Sequence, residues 1–237
     1  DITRMLNTNF FVTIPLKTKD KVLGAILVDN VFNKKPITKN DVRMLTMFAN
    51  HASLAIENSR LYEETVYLSS IDWLTKLWNY GRFQQLLTSE IEKARIQSAP
   101  LCLVMVDVDN FKNYNDTHGH LNGDEALRNI AGIFHDKSRK CDPVARYGGE
   151  EFAIIMPNTI KENAKLFAER LRSEVEKFYA QDSDMIPEKR LTISAGVAIY
   201  PEDAVTKDEL ISMADVALYQ AKHSGKNRVY LATRAMD

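Results

Sequence analysis

An apolar stretch that ends in acidic residues is the first feature of this sequence that could do chemistry. In LVMVDVDNF, strand alternation places the three valines on one face and Met105, Asp107 and Asp109 on the other. A carboxylate at the end of a buried strand is costly unless it is paired or binds a cation. We therefore predict that Asp107 belongs to an ion-binding or catalytic site.

A second acidic pair follows two glycines in RYGGEEF, residues 146–152. The flanking residues predict a β-hairpin in which Glu150 starts the returning strand. If that strand neighbours the first, Asp107 and Glu150 converge, and two carboxylates about 4 Å apart repel by about 4 kcal/mol at an effective dielectric near 20. A divalent cation reverses that sign, and oxygen ligands with room for phosphate predict Mg²⁺ or Mn²⁺. Because successive strand residues face opposite sides, we expect Glu151 to face away from Asp107.

The alternative interpretation of RYGGEEF is purely structural. Gly148 and Gly149 would then form a type I′ hairpin turn, and the two glutamates would be solvated.

Polar residues fill the segment that follows the acidic strand, FKNYNDTHGHLNGDEAL. The side chains of Asn115 and Asp124 hold the donor and acceptors needed to read a purine edge. A loop of ordinary Asx-turns with an aspartate helix cap explains the same composition. His118 and His120 are not spaced along a helix face, so we do not expect a zinc site.

Two lysines mark the C-terminal motif ALYQAKHSGKN, where Lys222 and Lys226 stand four residues apart at a predicted helix end. Cations there complement the helix dipole, and they could equally neutralise a triphosphate. The motif lacks the remaining residues of a P-loop, and no GxGxxG occurs.

These residues must be positioned by an alternating series of helices and strands. Helices are predicted at about 81–97, 122–137, 160–180 and 207–223, and strands at 101–109, 144–147, 152–156 and 191–200. The order β-α-β-β-α-β predicts an α+β, ferredoxin-like fold with an antiparallel sheet and helices on one face.

The first part of the chain predicts two strands, at 10–16 and 21–30, and then one long helix. Thr38 is a predicted N-cap, with Asp41 in the acidic position of a capping box. The helix is expected to run about 30 residues and to pair with a copy of itself. A helix that packs on its own sheet and frays after Asn58 is the alternative. Apolar residues recur at helical spacing, at Leu45, Phe48, Ala52, Ala55, Ile56, Tyr62 and Val66.

Composition narrows the class of protein. The chain has 237 residues, enough for two domains, with 45% hydrophobic and 27% charged residues. A net charge of −1 gives no basic field for nucleic acid. No apolar run reaches the length of a membrane helix, so we predict a cytoplasmic protein with no membrane segment in this chain. Cys102 and Cys141 match no metal or redox spacing and are expected to be reduced, buried thiols.

Five motifs together resemble the GGDEF family of diguanylate cyclases, in its GGEEF form. They are DWLTKLWN, DVDNFKNYNDTHGHLNGDEAL, RYGGEEF, LTISAGVA and ALYQAKHSGKN, in order and in register over about residues 70 to 235. The resemblance implies a palm-type domain with an antiparallel-rich central sheet and flanking helices. It implies that two GTP molecules are condensed into cyclic di-GMP and two pyrophosphates, with Mg²⁺ or Mn²⁺, by two domains that face each other in a homodimer.

The resemblance also implies roles for individual residues. It implies metal binding by Asp107, the Val108 carbonyl and Glu150, guanine recognition by Asn115 and Asp124, and phosphate contacts by Phe111, Lys112, Lys222 and Lys226. The general base is Glu150, Glu151 or bulk water, and Asp72 is expected to contact Arg146.

The segment RKCD, nine residues before the first glycine of the motif, matches the RxxD product-inhibition site of the family. Arg139 suits phosphate or guanine contact, and Asp142 can accept from guanine. The resemblance therefore implies that cyclic di-GMP is an inhibitor as well as the product.

The first segment resembles the C-terminal part of a GAF sensory domain, on VLGAILVDN and DVRMLTMFANHASLAIENSRLYEE. A whole GAF domain is longer than the roughly 60 residues present, so the chain is expected to start within one. We predict a partial GAF-like sensor at 1–58, a signalling-helix linker at 59–70 and the cyclase domain at 71–237. Two other functions stay open: a catalytically silent receptor for cyclic di-GMP, and a cyclase that makes a mixed cyclic dinucleotide.

Overall fold

The computed structural model of the chain describes residues 11–32, 34–181 and 190–233. Two compact units divide the chain between Ser69 and Ser70. The first unit contains β1 (Phe11–Lys17), β2 (Val22–Asp29) and α1 (Lys39–Ser69). The second contains α2 (Tyr80–Gln97), β3 (Leu101–Val108), α3 (Phe111–His118), α4 (His120–Lys137), β4 (Val144–Arg146), β5 (Glu151–Pro157), α5 (Lys161–Gln181), β6 (Ile193–Tyr200), α6 (Lys207–His223) and β7 (Val229–Leu231).

The first unit is a β-hairpin with a long helix, as the sequence predicts. Strands β1 and β2 pair antiparallel, and the predicted start of β1 at Phe10 lies outside the described residues. The predicted cap is confirmed, because the Asp41 N–H donates to Thr38 Oγ1 at 3.3 Å and the Thr38 N–H donates to Asp41 Oδ2 at 2.8 Å. The helix runs 31 residues and does not end at Asn58.

Helix α1 carries apolar residues on two faces. One face packs on β1, with Ala49 fully buried. The other face exposes Met47, Leu54 and Leu61 by 58%, 57% and 56% at a spacing of seven residues. That spacing is the repeat of a coiled-coil seam.

The second unit is built on a five-stranded sheet of order β4-β5-β3-β6-β7. All pairs are antiparallel except β6 and β7, which are parallel. Every residue of β3 and of β6 is buried. The centre of the sheet is therefore covered on both sides.

Helices lie on both faces of this sheet, so the prediction of helices on one face is wrong. Val104 and Val106 face a core made with α4 and α5. Leu103 and Met105 face a second core made with α2 and α6. Successive residues of a strand face opposite sides of the sheet, so a continuous apolar run must be packed on both faces. These strands have too few polar residues for either face to lie against solvent.

Helix α3 and strand β7 were not among the predicted elements. The segment of α3 is rich in Asn and Asp, which favour loops. Phe111 and Tyr114 are nevertheless buried in the core, with stacked rings 6.4 Å apart. Packing of these two rings outweighs the weak local propensity.

The two cysteines differ. The Cys102 thiol is buried and donates to the Thr159 carbonyl at 3.0 Å, and burial raises its pKa to about 12. Cys141 is exposed, so the prediction of two buried thiols is wrong for it. Within the described ranges, no helix combines the length and the apolar character needed to cross a bilayer.

Candidate active site

Asp107 lies near the end of the central strand, with 4% of the residue exposed. Lys222 donates its Nζ to Asp107 Oδ2 at 2.7 Å. Burial raises the pKa of Asp107 to about 6, because the hydrogen bond and charge of Lys222 offset only part of it and the charges of Glu150 and Glu151 add to it. The site therefore holds more negative charge than its own cation neutralises.

Both glutamates of the hairpin approach Asp107. The main chain of β3 binds the residue before β5, since the Val108 N–H donates to the Glu150 carbonyl at 3.2 Å. The strand register pairs Asp107 with Glu151. Cross-strand partners share a face, so the expectation that Glu151 faces away from Asp107 is wrong. It assumed that Glu150 is a regular strand residue, whereas β5 begins one residue later, at Glu151.

The residues present suit a hard divalent ion with an incomplete protein shell. Among the residues that the structure describes, no three His, Cys, Asp or Glu side chains are arranged as a metal cluster. Two carboxylates and the Val108 carbonyl are the oxygen set predicted from the sequence. Mg²⁺ commonly takes one or two carboxylates and completes its shell with water and phosphate oxygens. The excess charge around Asp107 fits such an ion, and the ligand set stays a prediction.

The glycine turn joins β4 and β5 through four residues, 147–150. The N–H groups of Tyr147 and Gly148 donate to the Glu151 carbonyl at 2.8 and 3.2 Å. Both glycines are described, and neither has a positive φ, so this is not a type I′ turn. A Cβ on Gly148 would lie 2.5 Å from Glu151 Oε2, whereas one on Gly149 would meet nothing within 4 Å. Gly148 makes room for Glu151, and Gly149 leaves bare backbone open to a ligand.

Arg146 links this turn to Asp72, near the start of the second unit, through hydrogen bonds to both. Its Nη1 donates to both carboxylate oxygens of Asp72, at 3.2 and 3.3 Å. Its Nε and Nη2 donate to the Gly149 carbonyl at 3.1 and 2.7 Å. The predicted contact between Asp72 and Arg146 is confirmed. Burial acts to raise the pKa of Asp72, but hydrogen bonds from Thr75 and the charge of Arg146 hold that pKa below its ordinary value.

Asn115 and Asp124 are brought together by the packing of α3 on α4. A Cβ on Gly123 would lie 1.8 Å from Asn115 Oδ1, so the glycine before Asp124 leaves space for the Asn115 side chain. The Asn115 Oδ1 atom is buried and has no hydrogen-bond partner among the residues that the structure describes. A buried acceptor without a partner costs about 1–3 kcal/mol, which makes this atom ready for a donor from a ligand.

The side chains of the two C-terminal lysines both contact residues at or just after the end of β3. Lys222 lies in the last turn of α6, and Lys226 lies three residues beyond its end with a φ of +60°. The Lys226 Nζ donates to Oδ1 of Asn110, the residue before α3. Lys222 and Lys226 therefore both reach the junction of β3 and α3 through side-chain contacts.

The start of α3 is the place that the sequence assigned to phosphates. Asn110 has a φ of +58°, and its carbonyl accepts the Tyr114 N–H at 3.1 Å, but its side chain does not cap α3. Phe111 is buried in the core and Lys112 is exposed, so their backbone N–H groups begin the helix between core and solvent. Free N–H groups at a helix start attract anions.

Sequence reasoning missed Asp109 and Asn110 as functional candidates. Asp109 accepts hydrogen bonds from Ser194 and Asn227, which lie 85 and 118 positions later in the sequence, so no local pattern indicates these contacts. The only signal in the sequence was the repeated acid in the DVD triplet.

Arg139 and Asp142 form a closed pair on another loop. Arg139 Nε and Nη2 donate to the two oxygens of Asp142, each at 2.8 Å, and Nη2 also donates to Thr159 Oγ1 at 2.7 Å. The Asp142 side chain is fully buried, whereas 53% of the Arg139 side chain is exposed. In this arrangement Asp142 holds Arg139, and its direct contact with guanine stays a prediction.

A cavity of about 430 Å³ lies beside this pair. Lys93, Lys140 and Cys141 are among its lining residues. Glu90 also lines the cavity and pairs with Lys93 at 2.6 Å, so Lys140 is the lining cation that adds to the charge of the exposed guanidinium.

Comparison with family models gives two matches. Residues 69–228 match the model described as "Diguanylate cyclase, GGDEF domain", and residues 1–56 match the GAF domain model. The first match covers most of the second unit, including every carboxylate and lysine discussed above.

Two curated relatives are similar over much of the chain. Diguanylate cyclase A of Treponema denticola is 36% identical over 233 residues, which are 96% of this chain and 60% of that protein. Diguanylate cyclase DosC of Escherichia coli K12 is 39% identical over 194 residues, 80% of this chain and 41% of that protein. The chain thus spans less than two thirds of the length of either relative.

One similar solved structure is described as containing a coiled coil as well as a GGDEF domain. The coiled coil and GGDEF domain of DgcB from Caulobacter crescentus, in complex with c-di-GMP, is 29% identical with a TM-score of 0.68. The match covers 82% of this chain and 100% of that one.

Proposed function

The chain belongs to the GGDEF family of diguanylate cyclases, and on that premise we propose that it condenses two GTP molecules into cyclic di-GMP and two pyrophosphates. The observation that carries the proposal is the convergence of Asp107, Lys222 and Lys226 on the start of α3, the helix that also carries the buried Asn115 acceptor. One end of this site has cations for a triphosphate, and the other has an acceptor for a base.

Each side chain has a task in this proposal. Asn115 Oδ1 accepts a hydrogen bond from guanine, and Asp124 beside it accepts a second one. Lys222 leaves Asp107 for the phosphates when a divalent ion is bound. The backbone at Gly149 and the start of α3 lies against the phosphate chain.

The reaction takes place twice, once for each GTP. Each time the 3′-hydroxyl oxygen of one nucleotide bonds to the α-phosphorus of the other, the bond from that phosphorus to the oxygen bridging the α- and β-phosphates breaks, and pyrophosphate leaves. Asp107, Glu150 and the Val108 carbonyl are proposed to hold Mg²⁺ or Mn²⁺, which would lower the pKa of the hydroxyl and stabilise charge on the leaving group. Glu150 or Glu151 takes the hydroxyl proton directly or through water.

The experiment is incubation with GTP and Mg²⁺, followed by mass analysis of the products. We expect cyclic di-GMP from the unmodified chain and none from Glu150→Ala. Glu162→Ala, which removes an exposed glutamate in the first turn of α5, is the matched control and should leave the yield unchanged. Absence of any cyclic dinucleotide from the unmodified chain would overturn the proposal and favour the receptor; a mixed dinucleotide would favour altered base choice.

Two chains are needed, because one chain has a single site of this kind in its described residues and the reaction uses two GTP molecules. We propose that α1 pairs with α1 of a second copy along Met47, Leu54 and Leu61, which are more than half exposed. The match to a structure described as a coiled coil and GGDEF domain supports this. A proline inserted between Tyr62 and Leu68 should lower dimerisation and activity together; no change in either would contradict the role of the helix in coupling a GAF-like sensor to the cyclase.

We further propose that cyclic di-GMP binds at Arg139 and inhibits. The exposed guanidinium beside a cavity lined by Lys140 favours an anionic ligand. Arg139→Ala should keep the initial rate and lose inhibition by added product, and Arg139→Lys, which keeps the charge without the fork, should lose part of it. Arg170→Ala, at an exposed arginine of α5 that lies over the Phe167 ring, is the control. Unchanged product affinity in Arg139→Ala would sink the proposal.

A further inference from the structure

The loop between α6 and β7 has an unusual backbone. Gly225, Lys226 and Asn227 have successive φ values of +114°, +60° and +48°. Left-handed conformations cost a non-glycine residue on the order of 1 kcal/mol or more, and they persist where the surroundings determine them. The middle residue of this run is Lys226, whose ammonium reaches Asn110 at the start of α3.

Asp109 anchors this loop to the sheet. It is 2% exposed, and its Oδ2 accepts the Asn227 N–H at 2.9 Å. The hydroxyls of Thr192 and Ser194 donate to its two oxygens, each at 2.7 Å. No lysine or arginine pairs with Asp109 among the described residues, so these three donors hold the buried carboxylate.

The Asn227 side chain is clamped from the opposite side by α5. Arg172 Nη1 donates to Asn227 Oδ1 at 2.8 Å, and Asn227 Nδ2 donates to Glu176 Oε1 at 2.7 Å. Arg172 and Glu176 also pair with each other at 2.8 Å. Both polar ends of Asn227 are therefore engaged, while its backbone binds Asp109.

We propose that Asp109, Asn227 and Arg172 are positioning residues that fix Lys226 for the phosphates of the substrate. Helix α6 ends at His223, so the loop backbone rather than the helix determines where the Lys226 side chain starts. The Lys226 N–H donates to the Ala221 carbonyl at 3.1 Å. This bond fixes the backbone on the N-terminal side of Lys226 but not on its C-terminal side, at Asn227. The clamp at Asn227 supplies the second fixed point. The inference rests on the proposed function, because it needs a triphosphate in the site.

The test is a double-mutant cycle with Asn227→Gly and Lys226→Ala. Glycine adopts a positive φ without strain, so Asn227→Gly removes the clamp and leaves the loop its conformation. We expect the KM for GTP to rise about five- to tenfold with kcat within about twofold, because Lys226 binds the phosphates in the ground state as well. The double variant should be no worse than Lys226→Ala alone, since the clamp acts only through that lysine.

Asn158→Gly is the matched control, because Asn158 also has a positive φ, +51°, in a loop away from the site. It should leave the initial rate and the KM unchanged. Arg172→Gln weakens the same clamp from the α5 side and should also raise the KM for GTP. It replaces Asn227→Gly in the test if that variant fails to fold.

Affinity for a GTP analogue with a methylene group between the α and β phosphorus atoms separates this inference from the proposed function. Tight binding of the analogue, together with no cyclic dinucleotide from GTP, would count against the cyclase and leave the clamp to be tested by the analogue affinities alone. An unchanged analogue affinity in Asn227→Gly, effects that multiply in the double variant, or no analogue binding by the unmodified chain would each overturn the inference.

Discussion

Asp72 and Asp107, two aspartates of the second unit, each pair with a cationic side chain, but their surroundings shift their pKa values in opposite directions. Asp72 receives hydrogen bonds from Thr75 and Arg146, and its pKa lies below its ordinary value of 3.8. Asp107 has one lysine against burial and two nearby glutamates, and its pKa rises to about 6. The first pair is complete within the fold and holds the turn, whereas the second is left with uncompensated charge. Uncompensated charge in a buried site marks the place where a ligand acts.

The largest expected effects follow from removing the charge at Asp107. Asp107→Asn should lower the rate of cyclic di-GMP formation by about 1,000-fold, the scale of losing a main electrostatic group. The same variant should be more stable than the unmodified chain without metal at pH 7.5, by up to about 3 kcal/mol at about 1.4 kcal/mol per pKa unit. Activity and stability would then move in opposite directions.

The sign of the stability effect depends on pH. The raised pKa means that the ionised carboxylate of Asp107 destabilises the folded state above pH 6, and the cost disappears below its ordinary value of 3.8. The gain in melting temperature should therefore be full at pH 7.5 and shrink as the pH falls towards 4. Asp136→Asn, at a carboxylate exposed by 78%, is the control and should show no such trend. A variant that melts lower at pH 7.5 would show that the charge of Asp107 is compensated after all.

Asp72→Asn should behave in the reverse way. Loss of the charged partner of Arg146 should destabilise the chain by about 2 kcal/mol at neutral pH. Because the pKa of Asp72 is lowered, its stabilisation is present above pH 3.8 and is lost as the pH falls through the folded value. Urea unfolding at pH 7 and in acid measures both. Equal stability of the variant and the unmodified chain at pH 7 would remove the contrast between the two aspartates.

Much of this arrangement follows from local pattern, and the rest does not. Helix boundaries at Gln97, Lys137 and His223 agree with the sequence predictions, because helical periodicity is carried by each segment alone. The pairing of Asp72 with Arg146 followed from family resemblance, as their 74 positions of separation give no local signal.

The errors share a physical cause. That Glu151 opposes Asp107 depends on a strand register, and a shift of one residue exchanges the faces. Helix α3 forms because Phe111 and Tyr114 are buried by distant elements. Neither the register nor the burial can be read from the few residues that make the motif.

Asn115 extends the comparison to an uncharged group, and its effect should be the smallest. Asn115→Ala should raise the KM for GTP about tenfold, the equivalent of one lost hydrogen bond of about 1.4 kcal/mol. It should also reduce discrimination against ITP, which lacks the 2-amino group of guanine. The variant should be no less stable than the unmodified chain, because the Oδ1 atom has no partner to lose among the described residues and its burial without one is itself unfavourable. Asn113→Ala, an exposed position on the same helix, is the control. A large loss of stability with an unchanged KM would mean that Asn115 belongs with Asp72, as a group that holds the fold, and not with Asp107.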